Sequence, residues 1–339
     1  MLSDHDRSAA CAGVDVGGTF TDVVVRAPGH RPRAVKVPTT PGNQALGVRQ
    51  GVERAWPGAA PRLLPHGTTT ATNAVLERRI ARTVFVTTEG FADVLAIARQ
   101  NRPALYDLSV TRPDPLVPRE RVVTVLERTG PDGQPIIALT EQEIERVVRE
   151  VARREPASVA VSLLFSYAGE EHERRLCAAL ASRLDVPVTR SSALLPEFRE
   201  YERASTCVLN AAVAPVMRRY LSNLSAQLPD PVITVMTSGG GTAGLDFAAS
   251  APVHTLLSGP AAGVVAAGAA ARSAGFADAI AFDMGGTSTD VCLIRDGQPE
   301  ISTSAEIGGL PFRTPAVGIH TVGAGGGSIA WVDTGGALR

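Results

Sequence analysis

The feature that most constrains this chain is an eight-residue pattern that occurs twice, D-x-G-G-T-x-T-D, at residues 15–22 and 283–290. Each copy lies between two short apolar runs. Two apolar runs joined by a Gly-Gly turn predict a β-hairpin with a glycine tip. Because the two copies match in register over the whole pattern, we expect the chain to contain the same hairpin twice.

The residue types at the two tips suit a phosphate group. Phosphate needs backbone N–H donors at close range, and glycine supplies them with no Cβ in the way. Mg²⁺ prefers carboxylates together with phosphate oxygens, so we predict that Asp15 and Asp283 are catalytic, metal-binding residues. The predicted phosphate-binding residues are Gly17, Gly18, Thr19, Thr21, Gly285, Gly286, Thr287 and Thr289. The alternative is a pair of plain tight turns, which explains one copy better than two.

Composition excludes several classes of protein. The 339-residue chain has a net charge of -1 and only 4% aromatic residues, so no basic or stacking surface for nucleic acid is expected. No run approaches the ~20 apolar residues of a membrane helix, and residues 1–12 lack the apolar core of a signal peptide. The four cysteines are far apart and form no CxxC pair. We therefore expect a cytoplasmic protein with no nucleic-acid or membrane partner.

Between the hairpins, apolar strands alternate with helical segments, which is typical of an α/β protein with a mixed sheet. The sequence T-E-Q-E at 140–143 is a capping box that opens a helix to about residue 154. A second helix is predicted at 91–99, and a long one at 200–228. S-G-P at 258–260 begins a further helix that reaches about residue 271. A strand is predicted at 121–128.

Seven segments together resemble the hydantoinase A / 5-oxoprolinase family of the actin–Hsp70–sugar-kinase superfamily. They are GVDVGGTFTD (13–22), HGTTTATN (66–73), TTEGF (87–91), ERAST (202–206), SGPAAG (258–263), FDMGGTSTD (282–290) and HTVGAGGGS (320–328). The resemblance implies an actin-like (ribonuclease H-like) α/β ATPase fold, with a mixed sheet flanked by helices. It also implies lobe I plus only the start of lobe II, hence a C-terminally truncated member. The implied domains are 12–195, with the first hairpin, and an incomplete 196–339, with the connecting helix and the second.

The resemblance implies a function as well. ATP and Mg²⁺ are the implied cofactors, and the implied reaction is ATP-dependent hydrolysis of a cyclic amide, such as 5-oxoproline or hydantoin, through phosphorylation of the amide oxygen. A hydantoinase B-like subunit is an implied partner. The alternatives are an ATP-using subunit of a ketone carboxylase and a truncated product with no activity of its own. A nucleotide-gated module like Hsp70 and a sugar kinase remain weaker rivals.

Several other residues are candidates for the site. His66 and Thr69 belong to a threonine-rich loop before a helix, where hydroxyls and N–H groups suit an anion, and we predict both to be catalytic. The alternative is a helix cap with a surface histidine. The turn at 238–241 ends a strand, where α/β sheets present ligands, but a flexible turn explains it equally well. Weaker candidates, for an acidic substrate or a metal, are Arg99, Arg102, Tyr106 and His320.

Overall fold

The computed structural model describes residues 10–338 apart from 41, 102–103, 108, 112–113 and 287–288. In this part of the chain the helices are α1 Gln44–Ala55, α2 Thr70–Leu76, α3 Val94–Ile97, α4 Glu141–Arg153, α5 Glu171–Arg183, α6 Ser191–Leu194, α7 Glu200–Gln227, α8 Leu245–Ser250 and α9 Ser258–Ser273. The strands are β1 Cys11–Val16, β2 Phe20–Arg26, β3 Arg33–Pro38, β4 Leu63–Thr68, β5 Thr83–Thr88, β6 Val122–Val125, β7 Arg128–Thr129, β8 Pro135–Ile137, β9 Ser158–Ser162, β10 Val188–Arg190, β11 Val232–Met236, β12 Thr242–Gly244, β13 Ala279–Met284, β14 Thr289–Arg295, β15 Gln298–Pro299, β16 Ile301–Ser302, β17 Ala305–Ile307, β18 Leu310–Phe312, β19 Ala316–Val317 and β20 His320–Val322.

The first hairpin stands at the centre of a six-stranded mixed sheet, in the order β12-β11-β4-β1-β2-β3. Strands β1, β2 and β3 form an antiparallel meander, while β4 and β11 run parallel to β1. The carboxyl ends of β1, β4 and β11 therefore meet at one edge. The β1–β2 tip lies at that edge, the usual place for ligands in α/β sheets.

The two faces of this sheet differ in character. Val14 pairs with Val23 and both are buried, whereas the next pair, Asp15 and Asp22, points to the opposite face. Helix α1 approaches the buried face so closely that a Cβ on Gly51 would lie 2.6 Å from Val23 Cγ2. We call the two sides the helix-covered face and the Asp15 face.

A second sheet holds the strands β10-β9-β5-β6, all parallel. The sequence predicted one mixed sheet; the structure gives residues 83–190 a parallel sheet of their own. Its core is rich in buried valines, among them Val84, Val86 and Val161. Continuous burial on both faces is the reason that these strands read as unbroken apolar runs.

The predicted start of α4 is confirmed. Thr140 Oγ1 accepts a hydrogen bond from Glu143 N at 3.2 Å, as a capping residue should. The reciprocal half of the capping box is not made, because the Glu143 carboxylate binds Arg146 and accepts from Leu126 N at 2.7 Å. Glu143 thus joins the helix to the end of β6.

Three predicted elements have different bounds. Helix α2 begins at Thr70, so much of the threonine-rich loop is helical. The helix predicted at 91–99 is only α3, and it ends at Ala98, whose φ of 50° lies in the left-handed region. The strand predicted at 121–128 ends at Val125.

A third sheet carries the second hairpin, with β13 and β14 antiparallel and β20 beside β14. Helix α9 contacts both β4 of the first sheet and β13 of this one, so it connects the two hairpins. Alternate residues of β13 stay exposed, namely Ile280, Phe282 and Met284.

Helix α7 is attached to the second sheet through a fully buried arginine, Arg203. Its Nη2 donates to Leu163 O at 2.7 Å and to the Glu200 carboxylate. Its Nη1 binds Ser166 Oγ and lies 4.0 Å from Glu173 Oε1, which is also fully buried. The helix start is therefore fixed to the loop that follows β9.

Candidate phosphate-binding site

The two hairpins predicted from the repeated pattern have the same register. Asp15 pairs with Asp22 and Val16 with Thr21 in the first; Asp283 pairs with Asp290 in the second, and Met284 with Thr289. Each leading aspartate is thus the last residue but one of its strand, beside a second aspartate. The repetition in sequence is a repetition in geometry.

At the first tip, backbone groups are left open to a ligand. Gly17 N donates to Phe20 O at 3.0 Å and closes the turn. Thr39, which directly follows β3, holds this turn in place. Its N–H donates to Thr19 O at 2.9 Å, and its hydroxyl donates to Gly17 O at 2.9 Å. The N–H groups of Gly18 and Thr19 donate to no described residue. A rigid turn with two unused donors is suited to an anion.

Thr21 has a structural role that the sequence did not indicate. Its side chain is buried on the helix-covered face, 3.0 Å from Thr39 Oγ1. Because the Thr39 proton goes to Gly17 O, the Thr21 hydroxyl is the donor in that bond. In the second hairpin Thr289 Oγ1 donates to Ala324 O at 2.6 Å. Both hydroxyls stabilise the tips and are not free for phosphate.

The Asp15 carboxylate has no side chain beside it on β4. Its partner in register there is Gly67, where a Cβ would come within 3.1 Å of Asp15 Oδ1. Partial burial raises the pKa of Asp15, the Asp22 carboxylate raises it further, and Lys36 opposes both. Lys36 Nζ is committed to Asp22 Oδ2 at 2.9 Å. Asp15 is therefore a carboxylate that a nearby cation would stabilise.

The second tip is covered along one side by the glycine run at 322–328. Gly326 N donates to Gly285 O and Gly327 N to Gly286 O, each at 2.9 Å. A Cβ on Gly327 would lie 2.9 Å from Gly286 O, so this approach requires glycine. A Cβ on Gly286 would meet nothing within 4 Å, which leaves that tip open. The sequence showed the glycine run but not its contact with the tip.

Asp283 is exposed, and its carboxylate makes no hydrogen bond to another described residue. Thr287, predicted to bind phosphate, lies outside the described residues. Among the residues that are described, there is no group of three or more His, Cys, Asp or Glu side chains arranged to hold a metal ion. A metal here would depend on single carboxylates plus phosphate oxygens and water, which is the way Mg²⁺ is commonly held.

Thr69, which directly follows β4, connects that strand's end to the first hairpin. Its N–H and its hydroxyl both donate to Val16 O, each at 3.2 Å, and Asn73 Nδ2 donates to Thr69 Oγ1 at 3.1 Å. The start of α9 is attached nearby, through Ser258 Oγ to Thr68 O at 3.2 Å. Thr69 thus lies at the tip of the first hairpin, and its catalytic role stays a prediction.

His66 is not brought to Asp15. It pairs in register with Val14, so its side chain lies on the helix-covered face, fully buried against Tyr220 of α7. Burial lowers the pKa of His66 to about 3, and its Nδ1 has no hydrogen-bond partner among the described residues. The alternative of a surface histidine is wrong as well. Strand alternation separates His66 from Asp15, although the two strands are neighbours.

This burial gives a prediction for stability. A histidine in the unfolded chain has a pKa near 6.5, so between that value and about 3 the unfolded state of this protein binds a proton that the folded state does not. The free energy of unfolding should therefore fall as the pH falls through this window, with His66 contributing about 1.4 kcal/mol per pH unit. We expect His66→Gln to have a shallower slope in urea titrations at pH 6.5, 5.5 and 4.5. The two proteins should differ by a constant amount above pH 7; parallel curves down to pH 4.5 would show that His66 accepts a proton in the folded state.

The remaining candidate site residues lie away from the edge where β1, β4 and β11 end, or their side chains are used in other contacts. Arg99 forms an ion pair with Glu202, and Tyr106 is 99% exposed. Ser238 Oγ donates to Leu256 O at 2.6 Å, so the 238–241 turn holds the chain before α9. His320 is exposed in β20. Arg102 lies outside the described residues.

The sheet order and the paired hairpins together define an actin-like ATPase fold, in which a ribonuclease H-like sheet presents one hairpin and the third sheet presents the other. Two family descriptions match the sequence: "Hydantoinase/oxoprolinase N-terminal region" over residues 12–183 and "Hydantoinase/oxoprolinase" over 203–339. The chain belongs to the hydantoinase/oxoprolinase family, as its seven segments indicated.

Characterised relatives extend the comparison. The 5-oxoprolinase 1 of Arabidopsis thaliana is 34% identical, over 93% of this chain and 28% of the relative. The ATP-dependent caprolactamase of Pseudomonas jessenii, whose similar chain is named subunit alpha, has a crystal structure with a TM-score of 0.86 and 30% identity over 96% of this chain and 49% of that one. A nucleotide-free acetone carboxylase structure, from work on ATP-dependent acetone carboxylation, gives a TM-score of 0.82 and 28% identity over 97% and 50%.

The chain spans about half the length of the caprolactamase and acetone carboxylase chains, and less of the 5-oxoprolinase. In the described part of this chain, no helix has the length and apolar character needed to cross a membrane.

Proposed function

We propose that this chain binds Mg·ATP at its paired hairpins and serves an enzyme that transfers the γ-phosphoryl group to the oxygen of a cyclic amide. The observation that carries the proposal is the double hairpin itself, with Asp15 and Asp283 in the same register. Relatives that are named ATP-dependent support the choice of nucleotide.

The residues present fit the nucleotide and its metal. Gly18 and Thr19 offer unused N–H groups, and the open space at Gly286 admits a phosphate without a Cβ in the way. Asp15 and Asp283 are carboxylates at the two tips, and neither forms an ion pair with a described Lys, Arg or His, since Lys36 pairs with Asp22. When bound, Mg²⁺ neutralises charge on the phosphates. The chain's own part is to position the γ-phosphate and to supply oriented donors.

For a cyclic amide the reaction balances as follows. The amide oxygen bonds to the γ-phosphorus as the bond to the bridging oxygen of ADP breaks, and the amide nitrogen loses its proton to water. A first water adds to the carbon of the resulting phosphorylated imidate, and the C–N bond breaks to give an acyl phosphate and a free amine. A second water then hydrolyses the acyl phosphate to a carboxylate and phosphate. We assign Asp15, Asp283 and Thr69 to positioning of the phosphates and their metal, and His66 to support of the sheet from its buried face.

A ketone carboxylase subunit is a second candidate, favoured by the acetone carboxylase fold. That reaction also begins with phosphorylation of an oxygen bound to carbon, so the hairpins do not distinguish the two. The subunit name of the caprolactamase relative supports a partner chain, for which a hydantoinase B-like subunit is our proposal.

The test is nucleotide binding and turnover by the 339-residue chain. We expect ATP to bind in the presence of Mg²⁺ and more weakly with EDTA, as measured by isothermal titration calorimetry. Release of phosphate should then be compared with 5-oxoproline, hydantoin, caprolactam, and acetone plus bicarbonate. Stimulation by a lactam supports the first candidate, and stimulation by acetone plus bicarbonate alone supports the second. A chain that binds no nucleotide under any condition would contradict the proposal.

A further inference from the structure

A cavity of about 690 Å³ lies at the amino ends of two strands of the second sheet. Arg82 directly precedes β5 and Arg121 directly precedes β6, and these strands are parallel neighbours. Ligands of the catalytic kind bind at the opposite, carboxyl edge of such a sheet. Among the described residues that line the cavity, none belongs to either hairpin. The cavity is therefore separate from the candidate phosphate-binding site.

The wall of this cavity combines positive charge with apolar surface. Although the whole chain has a net charge of -1, the described wall holds four arginines and a single carboxylate, Asp114. The other described lining residues are apolar, and the largest of them at the floor is the buried Leu116. Positive charge thus lies at the rim and apolar surface beneath it. The arginines are Arg78, Arg82, Arg119 and Arg121.

Two of these arginines have no anionic partner. The side chains of Arg82 and Arg121 form no ion pair or hydrogen bond with any described residue, and both line the cavity. Arg119 is paired only through Nε, which lies 2.9 Å from Asp93 Oδ1. Guanidinium groups gathered at one cavity repel each other. A carboxylate bound between them would remove that repulsion and accept paired N–H donors.

Arg78 is held in a backbone conformation that favours glycine. It stands just past the end of α2, where helices commonly end on a glycine, and its φ is 55°. Its N–H donates to Val75 O at 3.2 Å, and its Nη2 donates to Asp114 O at 3.1 Å. The other guanidinium N–H groups bind no described residue. An arginine retained at a strained position points to a use for its side chain.

We propose that this cavity is a docking site for an acidic segment of a partner polypeptide. Two carboxylates of the segment bind Arg82 and Arg121, and an apolar side chain between them rests on Leu116. Clusters of arginines recognise acidic motifs in this way. The apolar floor favours a peptide over a bare polyphosphate, which has no apolar group to bury. Since the described wall holds no aromatic residue, a nucleobase has no surface on which to stack.

The experiment measures fluorescence anisotropy of three labelled heptapeptides with the 339-residue chain. One peptide alternates glutamate with leucine, one alternates lysine with leucine, and one alternates glutamate with serine. We expect the glutamate–leucine peptide to bind, and more weakly as NaCl rises from about 50 to about 300 mM. The lysine–leucine peptide should not bind. The glutamate–serine peptide should bind about tenfold more weakly, because it has no leucine to bury.

Variants of the chain locate the binding. Arg82→Gln and Arg121→Gln should each weaken the glutamate–leucine peptide about tenfold, the effect of one lost bond between charged groups. Arg78→Gly should also weaken it, while the midpoint of urea denaturation stays equal or rises, because glycine adopts the left-handed conformation freely. Arg153→Gln is the matched control. Arg153 is an exposed arginine at the end of α4 that does not line the cavity, so affinity should stay within about twofold.

Three outcomes would overturn the docking site. The first is a wild-type chain that does not bind the glutamate–leucine peptide, or binds the lysine–leucine peptide equally well. The second is unchanged affinity in both Arg82→Gln and Arg121→Gln. The third uses inorganic tripolyphosphate as the probe: if it binds through Arg82 and Arg121 while the peptide does not, the cavity is a phosphate site.

Discussion

Asp15→Asn is expected to weaken Mg·ATP binding by about a hundredfold, or ~2.7 kcal/mol, while ATP binding in EDTA changes little. The asparagine keeps the shape of the side chain and its place beside Gly67, so the effect isolates the negative charge. That charge is the ligand that a hard divalent ion prefers, and no described cation forms an ion pair with Asp15, because Lys36 pairs with Asp22. Titration calorimetry of the variant with and without Mg²⁺ measures both affinities.

Asp22→Asn is the matched control for this prediction. Asp22 sits across the hairpin from Asp15 on the same face, but its carboxylate is already paired with Lys36. Its charge is already balanced by Lys36, so Mg·ATP affinity should change by less than about threefold. Asp283→Asn should behave like Asp15→Asn. Unchanged affinity in both Asp15→Asn and Asp283→Asn would remove the metal-binding role from these carboxylates.

The sequence predicted the features that depend on local chemistry. Both hairpins follow from apolar runs around a Gly-Gly turn, and the start of α4 follows from Thr140, because capping uses only residues within one helical turn. The contact of Thr69 with the first hairpin was not anticipated, because nothing in the sequence indicates that β4 pairs with β1.

What the sequence did not predict depends on strand register and on distant partners. His66 belongs to a polar segment, yet its pairing with Val14 turns it to the helix-covered face, where Tyr220 from a helix far along the chain receives it. No local pattern contains that information. The same holds for Thr21, whose partner Thr39 belongs to another strand's end.

Arg203 is the clearest case of a residue whose importance comes only from assembly. In the sequence it is one charge in a helical run, and in the structure it is fully buried between Leu163 O, Glu200 and Glu173. Arg203→Met should lower the free energy of unfolding by about 3–5 kcal/mol, because Glu200 and the fully buried Glu173 then lose the cation that faces them. Urea denaturation at pH 7 measures the loss, and the slope of the transition should stay the same if only the folded state is affected.

Arg218→Met on the same helix is the control, and as an exposed arginine it should change stability by less than about 0.5 kcal/mol. The pH gives a second check on the cause. Burial raises the pKa of Glu200, and Arg203 holds it down, so without Arg203 that carboxyl takes up a proton more easily. The difference in the free energy of unfolding between wild type and Arg203→Met should therefore be smaller at pH 5 than at pH 7, because a neutral Glu200 needs no cation. If Arg203→Met lowers the free energy of unfolding by less than about 1 kcal/mol at pH 7, methionine packing replaces the ion network. If the loss is equal at both pH values, charge is not what holds α7 to the β9 loop.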